Sequence, residues 1–78
     1  MVVEVRLFAT LRRYASASAT GVLSLEVPED STVAVLLNTL GIEATEVHII
    51  MINGVSRTLS SFLHEGDRLG LFPAVGGG

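Results

Sequence analysis

Apolar and polar positions alternate at the start of the chain, as they do in a strand with one buried face. Every second residue from Val3 to Leu7 is apolar, while Glu4 and Arg6 lie between them on the opposite face. Phe8 continues that opposite face. The pattern predicts a β-strand over residues 2–8 whose aromatic side chain points away from the core.

A second alternating segment runs from Leu23 to Val27. Pro28 follows it, and we expect the strand to end there because proline cannot donate a hydrogen bond to a neighbouring strand. Between the two strands, residues 9–15 are predicted as a short helical turn. Residues 16–21, which are small and mostly polar, are predicted as a loop.

The middle of the chain has the spacing of an amphipathic helix. Its apolar residues recur at i, i+3, i+4 and i+7, at Val33, Leu36, Leu37 and Leu40. Ser31 or Thr32 can accept a hydrogen bond from a free backbone N–H of the first turn. Gly41 suits the left-handed residue that ends many helices. The segment therefore predicts one core-facing helix.

Three more strands are predicted in the second half of the chain. Residues 47–52 are almost continuously apolar, which is typical of a strand buried on both faces. Asn53-Gly54 signals a tight hairpin, and residues 55–59 return as a short strand. A turn at Glu65-Gly66-Asp67 precedes a last strand over residues 68–72.

These elements together predict an α+β domain in which a mixed sheet packs on one main helix. The order of a β-hairpin, a helix and further strands fits the β-grasp, or ubiquitin-like, fold, in which the first and last strands are neighbours. We expect this domain to span residues 1–75 and residues 76–78 to form a flexible glycine tail.

Two phenylalanines are predicted on the outer face of the sheet, close to that tail. In the last strand Phe72 shares its face with Arg68 and Gly70, as Phe8 does with the polar residues of the first strand. Exposed aromatic rings often mark a binding surface, and aromatics are favoured interface anchors. The sequence therefore predicts a partner interface at Phe8, Phe72, Pro73 and Val75. The alternative is that both rings fold under a loop.

Composition and charge exclude several classes of function. The net charge of −3 argues against a nucleic-acid-binding surface. Cysteine is absent, which excludes a disulfide framework, a thiol nucleophile and an iron–sulfur site. His48 and His64 lack the neighbouring ligands of a metal site, so no metal role is expected. No nucleophile–base pair is apparent, so no catalytic residue is predicted.

The predicted location is the cytoplasm, without a membrane partner. Apolar runs such as Ile49 to Ile52 are far too short to span a bilayer. No basic segment followed by a long apolar stretch resembles a signal peptide.

The sequence ends in Gly76-Gly77-Gly78, directly after the apolar residues of the last strand. Without a Cβ atom, glycine lets a backbone pass through a constriction that side chains would block. Gly76 and Gly77 are therefore predicted to thread a partner's channel, and the carboxylate of Gly78 is predicted as the reactive group. The alternative is an ordinary loose terminus.

Four segments in order carry a family resemblance: Leu7-Phe8-Ala9-Thr10-Leu11-Arg12, Ile52-Asn53-Gly54, Glu65-Gly66-Asp67 and Leu71-Phe72-Pro73-Ala74-Val75-Gly76-Gly77-Gly78. With them the chain resembles the small sulfur-carrier proteins of ubiquitin-like β-grasp fold. Within that family it is most similar to the small subunit of molybdopterin synthase, through Phe72-Pro73-Ala74-Val75 before the glycines.

The resemblance implies a chemistry and a set of partners. An activating enzyme similar to ubiquitin-activating enzymes would adenylate Gly78, and sulfur would then replace AMP to leave a thiocarboxylate. The implied partners are this E1-like enzyme, a sulfur donor such as a cysteine desulfurase or rhodanese, and the large subunit of molybdopterin synthase. No cofactor is expected on this chain. It lacks lysine and a phosphate-binding loop, so the activating enzyme would supply ATP and Mg²⁺.

Several alternatives stay open at the level of sequence. The carried sulfur could go to the molybdenum or tungsten cofactor, to the thiamine thiazole, to 2-thio-tRNA or to cysteine. The Gly-Gly-Gly ending also suits the thiamine-type carriers. The same tail suits a ubiquitin-like protein modifier. A non-covalent β-grasp adaptor would need no chemistry at the terminus.

Overall fold

The computed structural model describes residues 1–15 and 20–74. In that part of the chain five strands form one sheet, in the order β2-β1-β5-β3-β4. The strands are β1 (Val2–Leu7), β2 (Val22–Glu26), β3 (Val47–Ile52), β4 (Val55–Arg57) and β5 (Arg68–Pro73). The α-helix α1 spans Val33–Leu40, and two 3₁₀ helices span Ala9–Ala15 and Ala44–Glu46. The predicted mixed sheet with one main helix is confirmed.

Strands β1 and β5 lie side by side in parallel, as expected of the first and last strands. Strand β2 pairs with the other edge of β1 in antiparallel orientation. Strand β3 pairs antiparallel with β5 on one side and with the short β4 on the other. The last strand is therefore central in the sheet, with β1 beside it as far as Leu71 and β3 beside it as far as Pro73.

The core lies between one face of the sheet and α1. Fully buried side chains come from alternate positions of β1 and β5, from the helix stripe and from the first 3₁₀ helix: Val3, Val5, Leu69, Leu71, Val33, Leu36, Leu37 and Leu11. Within the described residues every buried side-chain nitrogen or oxygen has a hydrogen-bond partner. The structure thus confirms both the alternation predicted for the first strand and the apolar stripe predicted for the helix.

The ends of α1 are capped as its sequence predicts. Thr32 is the residue that caps the N-terminus, and its hydroxyl accepts from the Val35 N–H. Gly41 adopts the left-handed conformation, with φ 76°, and donates its N–H to Asn38 and Leu37 carbonyls. The short loop after Arg57 supports the helix start, because the Val33 N–H donates to the Ser61 carbonyl at 3.1 Å.

The predicted hairpin and turn both form, although β4 ends at Arg57 and not at residue 59 as predicted. Asn53 and Gly54 both have positive φ, 52° and 82°, which matches the turn that an Asn-Gly pair favours between antiparallel strands. The Asn53 side chain ties this hairpin to the turn before β5, since its amide donates to Asp67 Oδ1 at 2.9 Å. Asp67 is 8% exposed and also accepts from the His64 N–H at 2.8 Å.

The prediction that β3 is buried on both faces is wrong. Ile50 and Ile52 face the core, but His48 is exposed and Ile49 is 43% exposed. The helix covers one face of the sheet, and no described element covers the other face at this point. The run of apolar residues in β3 therefore arises because both its core face and its outer face carry apolar side chains.

Candidate functional site

The outer face of the sheet carries an aromatic pair where β5 ends. Phe8 follows β1 and donates its N–H to the Leu71 carbonyl at 3.2 Å, which extends the parallel ladder by one residue. The rings of Phe8 and Phe72 stack with centroids 4.3 Å apart and planes 5° from parallel. Phe8 is 39% exposed and Phe72 is half-buried. The predicted outward placement of both rings is confirmed. The alternative, in which both rings fold under a loop, is wrong.

Gly70 leaves the space that the stacked rings occupy. A Cβ built on Gly70 would lie 3.4 Å from the Phe72 ring, 3.6 Å from the Phe8 ring and 3.8 Å from Met51 Cβ. The rings thus shelter a stretch of strand backbone that has no side chain of its own. Glycine weakens a strand, and cover by neighbouring aromatics is a known compensation.

Strand β3 adds two residues to this surface. Ile49 lies opposite Phe72 and Met51 lies opposite Gly70, so both share the outer face. We call the surface formed by Phe8, Ile49, Met51, Gly70 and Phe72 the outer-face patch. Sequence reasoning missed Ile49 and Met51 because it placed both faces of β3 in the core.

Polar groups border the outer-face patch. Arg6 lies next to Gly70 in the parallel pairing, and Arg68 is the next outward residue along β5. The Arg6 guanidinium donates to Glu4 Oε2 at 2.9 Å, and the Arg68 side chain is exposed. An apolar centre with a charged rim is the usual anatomy of a protein interface.

A charged cluster lies at the point where the chain leaves β5. Glu46, at the end of the second 3₁₀ helix, accepts at Oε2 from the Tyr14 hydroxyl at 2.6 Å and from the Glu43 N–H at 3.1 Å. The Arg13 guanidinium donates to the other carboxylate oxygen. The Tyr14 hydrogen bond, helped by the Glu43 N–H and Arg13, lowers the pKa of Glu46. The Arg13 guanidinium also donates to the Tyr14 hydroxyl at 3.2 Å, and this hydrogen bond, together with the charge of Glu46, raises the pKa of Arg13.

The predicted site residues divide into two groups. Phe8, Phe72 and Pro73 lie together at one end of the sheet, and their role as an interface stays a prediction. Val75, Gly76, Gly77 and Gly78 lie outside the described residues, as do residues 16–19 of the predicted loop.

The remaining observations concern metal ions and membranes. Among residues 1–15 and 20–74, no group of three His, Cys, Asp or Glu side chains is arranged to hold a metal ion. In the same ranges no helix has the length and apolar character needed to cross a membrane.

Comparisons with known proteins identify similar chains. The model of the ThiS family matches residues 5–78. Small archaeal modifier protein 1 of Methanosarcina acetivorans is 26% identical, with a TM-score of 0.72, over 99% of this chain and 96% of that one. The corresponding Haloferax volcanii protein is 25% identical, with a TM-score of 0.71, over 95% and 98%.

A third similar structure comes from a complex. It contains subunits 1 and 2 of molybdopterin-converting factor from Helicobacter pylori, and the matched chain is 25% identical over 100% of both chains, with a TM-score of 0.60. No curated protein matches the sequence. The structural matches confirm the predicted β-grasp fold.

Proposed function

Because this chain belongs to the ThiS family, whose members are sulfur carriers of ubiquitin-like β-grasp fold, we propose that it carries sulfur as a thiocarboxylate on Gly78. The observation that carries the proposal is the position of the outer-face patch. Its stacked pair ends at Phe72, and six residues follow Phe72, from Pro73 to Gly78. Fully extended, six residues reach about 20 Å. A partner that covers the patch could therefore receive Gly78 in its own active site.

The folded body supplies the affinity in this proposal. Ordering each tail residue costs about 1–2 kcal/mol of backbone entropy, and glycines have no side chain with which to offset that cost. The aromatic rings and Ile49 offer exposed apolar surface for docking. Docking through the patch and chemistry at the terminus are then separate tasks of separate parts of the chain.

The proposed chemistry begins with activation of a poor electrophile. The terminal carboxyl group is ionised at neutral pH, with an ordinary pKa of about 3.5, and it has no good leaving group. Attack of its oxygen on the α-phosphorus of ATP would release pyrophosphate and form an acyl adenylate. The persulfide on the cysteine of a donor such as a cysteine desulfurase or rhodanese would then displace AMP and form an acyl persulfide. A thiol would reduce its S–S bond, which releases the thiocarboxylate and leaves that thiol in a disulfide with the donor cysteine. In this scheme ATP and Mg²⁺ are bound by the E1-like enzyme, and we propose that the reaction takes place in the cytoplasm.

For the acceptor we propose molybdopterin synthesis, with this chain as the small subunit of molybdopterin synthase. Two observations support it. The sequence before the glycines, Phe72-Pro73-Ala74-Val75, resembles that branch, and one similar structure is a complex of the two subunits of molybdopterin-converting factor. The large subunit would cover the outer-face patch and bind the pterin precursor.

Protein modification is a second candidate function, and the similarity to small archaeal modifier proteins favours it. The activation step is the same, but the acceptor would be a lysine of a target protein. The chain has no lysine, so trypsin would leave the ten residues Leu69–Gly78 attached to a modified target lysine after cutting at Arg68. Peptides that carry this remnant on lysine would identify conjugation.

The first step can be tested by ATP–pyrophosphate exchange. The full chain is incubated with activating enzymes from sulfur-carrier pathways and labelled pyrophosphate, beside a chain that ends at Gly76. We expect exchange with the full chain and none with the shortened one, while both unfold at the same urea concentration because the shortened chain keeps all of β5, which ends at Pro73. Equal exchange by the two chains would contradict the proposed reaction at Gly78.

A further inference from the structure

The end of β5 is anchored by a backbone hydrogen bond outside the regular sheet ladder. Pro73 lies opposite Val47 and has no N–H to donate. The next residue, Ala74, donates its N–H to the Glu46 carbonyl at 3.3 Å. This is the last backbone anchor of the described chain, so Glu46 determines where the chain leaves the sheet.

The neighbouring strand is irregular at the same point. The register between β3 and β5 shifts between Val47 and Ile49, so that His48 is an extra residue on β3. Such bulges bend a strand and change the direction of the residues beside them. Pro73 adds stiffness, because its ring fixes its own φ and restricts the backbone of Phe72.

Glu46 is itself held by the 3₁₀ helix that follows the first ring of the aromatic pair. Its carboxylate bonds the Tyr14 hydroxyl and the Arg13 guanidinium, both of which belong to the 3₁₀ helix Ala9–Ala15. That helix begins directly after Phe8. One short element therefore connects the aromatic pair, where a partner would dock, to the residue that anchors the departing chain.

The direction of departure matters because the tail is short. Four residues follow Ala74, and fully extended they reach about 14 Å. A change of about 20° in direction at Ala74 would displace the far end of such a segment by about 5 Å. Reacting atoms must be placed far more accurately than that, since an error of about 1 Å can cost up to a hundredfold in rate.

We propose that Glu46, held by Arg13 and Tyr14, positions the start of the tail so that a partner docked on the outer-face patch receives Gly78 at its active site. The inference rests on the proposed function. Glu46 makes no contact with the reacting group in this account and acts through the Ala74 N–H. It is a positioning residue, with Arg13 and Tyr14 as its supports.

The test uses the full chain with Tyr14→Phe, which removes only the hydroxyl, and with Tyr14→Phe combined with Arg13→Gln. Glu65→Gln is the matched control, because Glu65 also accepts a backbone N–H, from Val2 at 2.9 Å, but on a loop away from the tail. Amide hydrogen exchange of Ala74 is measured by NMR, with the Leu71 and Ile50 amides as reporters of the sheet. Steady-state adenylation by a matching activating enzyme provides kcat and KM.

We expect the Ala74 amide to exchange about two- to tenfold faster in the Tyr14 variants. This range corresponds to the loss of one ordinary hydrogen bond, here the bond from Tyr14 that holds Glu46. The sheet amides should not change. Adenylation should show a kcat that is lower by about tenfold with KM within twofold, because the patch still docks while the tail is misdirected. The Glu65 control should match the unmodified chain in both measurements.

Three results would overturn the inference. Two of them are unchanged exchange at Ala74 and faster exchange with an unchanged kcat. The third is an increase in KM alone, which would show that Arg13, Tyr14 and Glu46 form a docking contact. Failure of the unmodified chain to be adenylated is a different result, since it would refute the proposed function. The exchange measurement would still decide in that case whether Arg13 and Tyr14 hold the Ala74 anchor.

Discussion

At the scale of single residues, the proposed docking depends mainly on Phe8 and Phe72. Their stack lies on the outer face of the sheet, it shelters Gly70, and Ile49 and Met51 extend it. An aromatic pair contributes about 0.5–1.5 kcal/mol beyond the area it buries. The rings therefore add modestly to folding, and their larger contribution is expected in the complex.

We predict that Phe72→Ala weakens binding to the activating enzyme by about 30-fold or more, the usual size of an interface hot spot. The stability of the free chain should fall by only about 1–2 kcal/mol, because the removed ring is half-buried and its loss ends the stacking contact with Phe8. Isothermal titration calorimetry measures the affinity, and urea unfolding measures the stability.

Phe62 supplies the control for that prediction. It is 60% exposed and lies in the loop before β5, away from the outer-face patch. Phe62→Ala removes the same side chain and should leave the affinity unchanged. If Phe62→Ala and Phe72→Ala weaken binding equally, the patch is not the docking surface.

At the scale of elements, a hydrogen-bonded cluster joins the two 3₁₀ helices next to the end of β5. The Tyr14 hydroxyl is the main cause of the lowered pKa of Glu46. A carboxyl group with a lowered pKa in the folded state stabilises the fold above its unfolded pKa, about 4.3 for glutamate. That contribution is lost as the pH falls through the folded pKa.

We therefore predict that the unmodified chain loses more stability between pH 7 and pH 3 than Glu46→Gln does. The variant lacks the titrating group and should show a flatter profile across the same interval. Urea unfolding midpoints at pH steps between 7 and 3 measure the difference. Parallel profiles for the two chains would show that the Tyr14–Glu46 contact does not contribute to stability.

The individual elements also show which structural features a local sequence pattern can predict. The helix stripe, the Thr32 and Gly41 caps and the Asn53-Gly54 hairpin are local, so their chemistry predicts them correctly. The outer face of β3 could not be predicted in the same way. Four apolar residues in a row do not reveal whether a second layer covers them, because that depends on where the helix packs.

The candidate site illustrates the same limit. Alternation within β1 and β5 was enough to place Phe8 and Phe72 outward on neighbouring strands. Their stacking and the contact of Tyr14 with Glu46 join positions far apart in sequence, whose residue numbers differ by 64 and by 32. Such contacts depend on strand register and on the bulge at His48, which no local pattern specifies.

At the scale of the whole molecule, the proposed function separates a folded body, which docks, from the terminal residue, which reacts. The body holds five strands, one α-helix and an outer-face patch in the described residues. The family match extends through residue 78. The account assigns recognition to the body and chemistry to Gly78, so the two can be altered independently.

The most direct measurement is the mass of the chain after incubation with an activating enzyme, ATP and a sulfur donor. Replacement of one oxygen by sulfur adds about 16 Da, and trypsin confines the change to the peptide Leu69–Gly78, because Arg68 is the last cleavage site. The account predicts this gain on that peptide and its absence when Gly78 is deleted. An unmodified peptide with the activating enzymes of all four sulfur-carrier pathways, under conditions where an established carrier reacts, would contradict it.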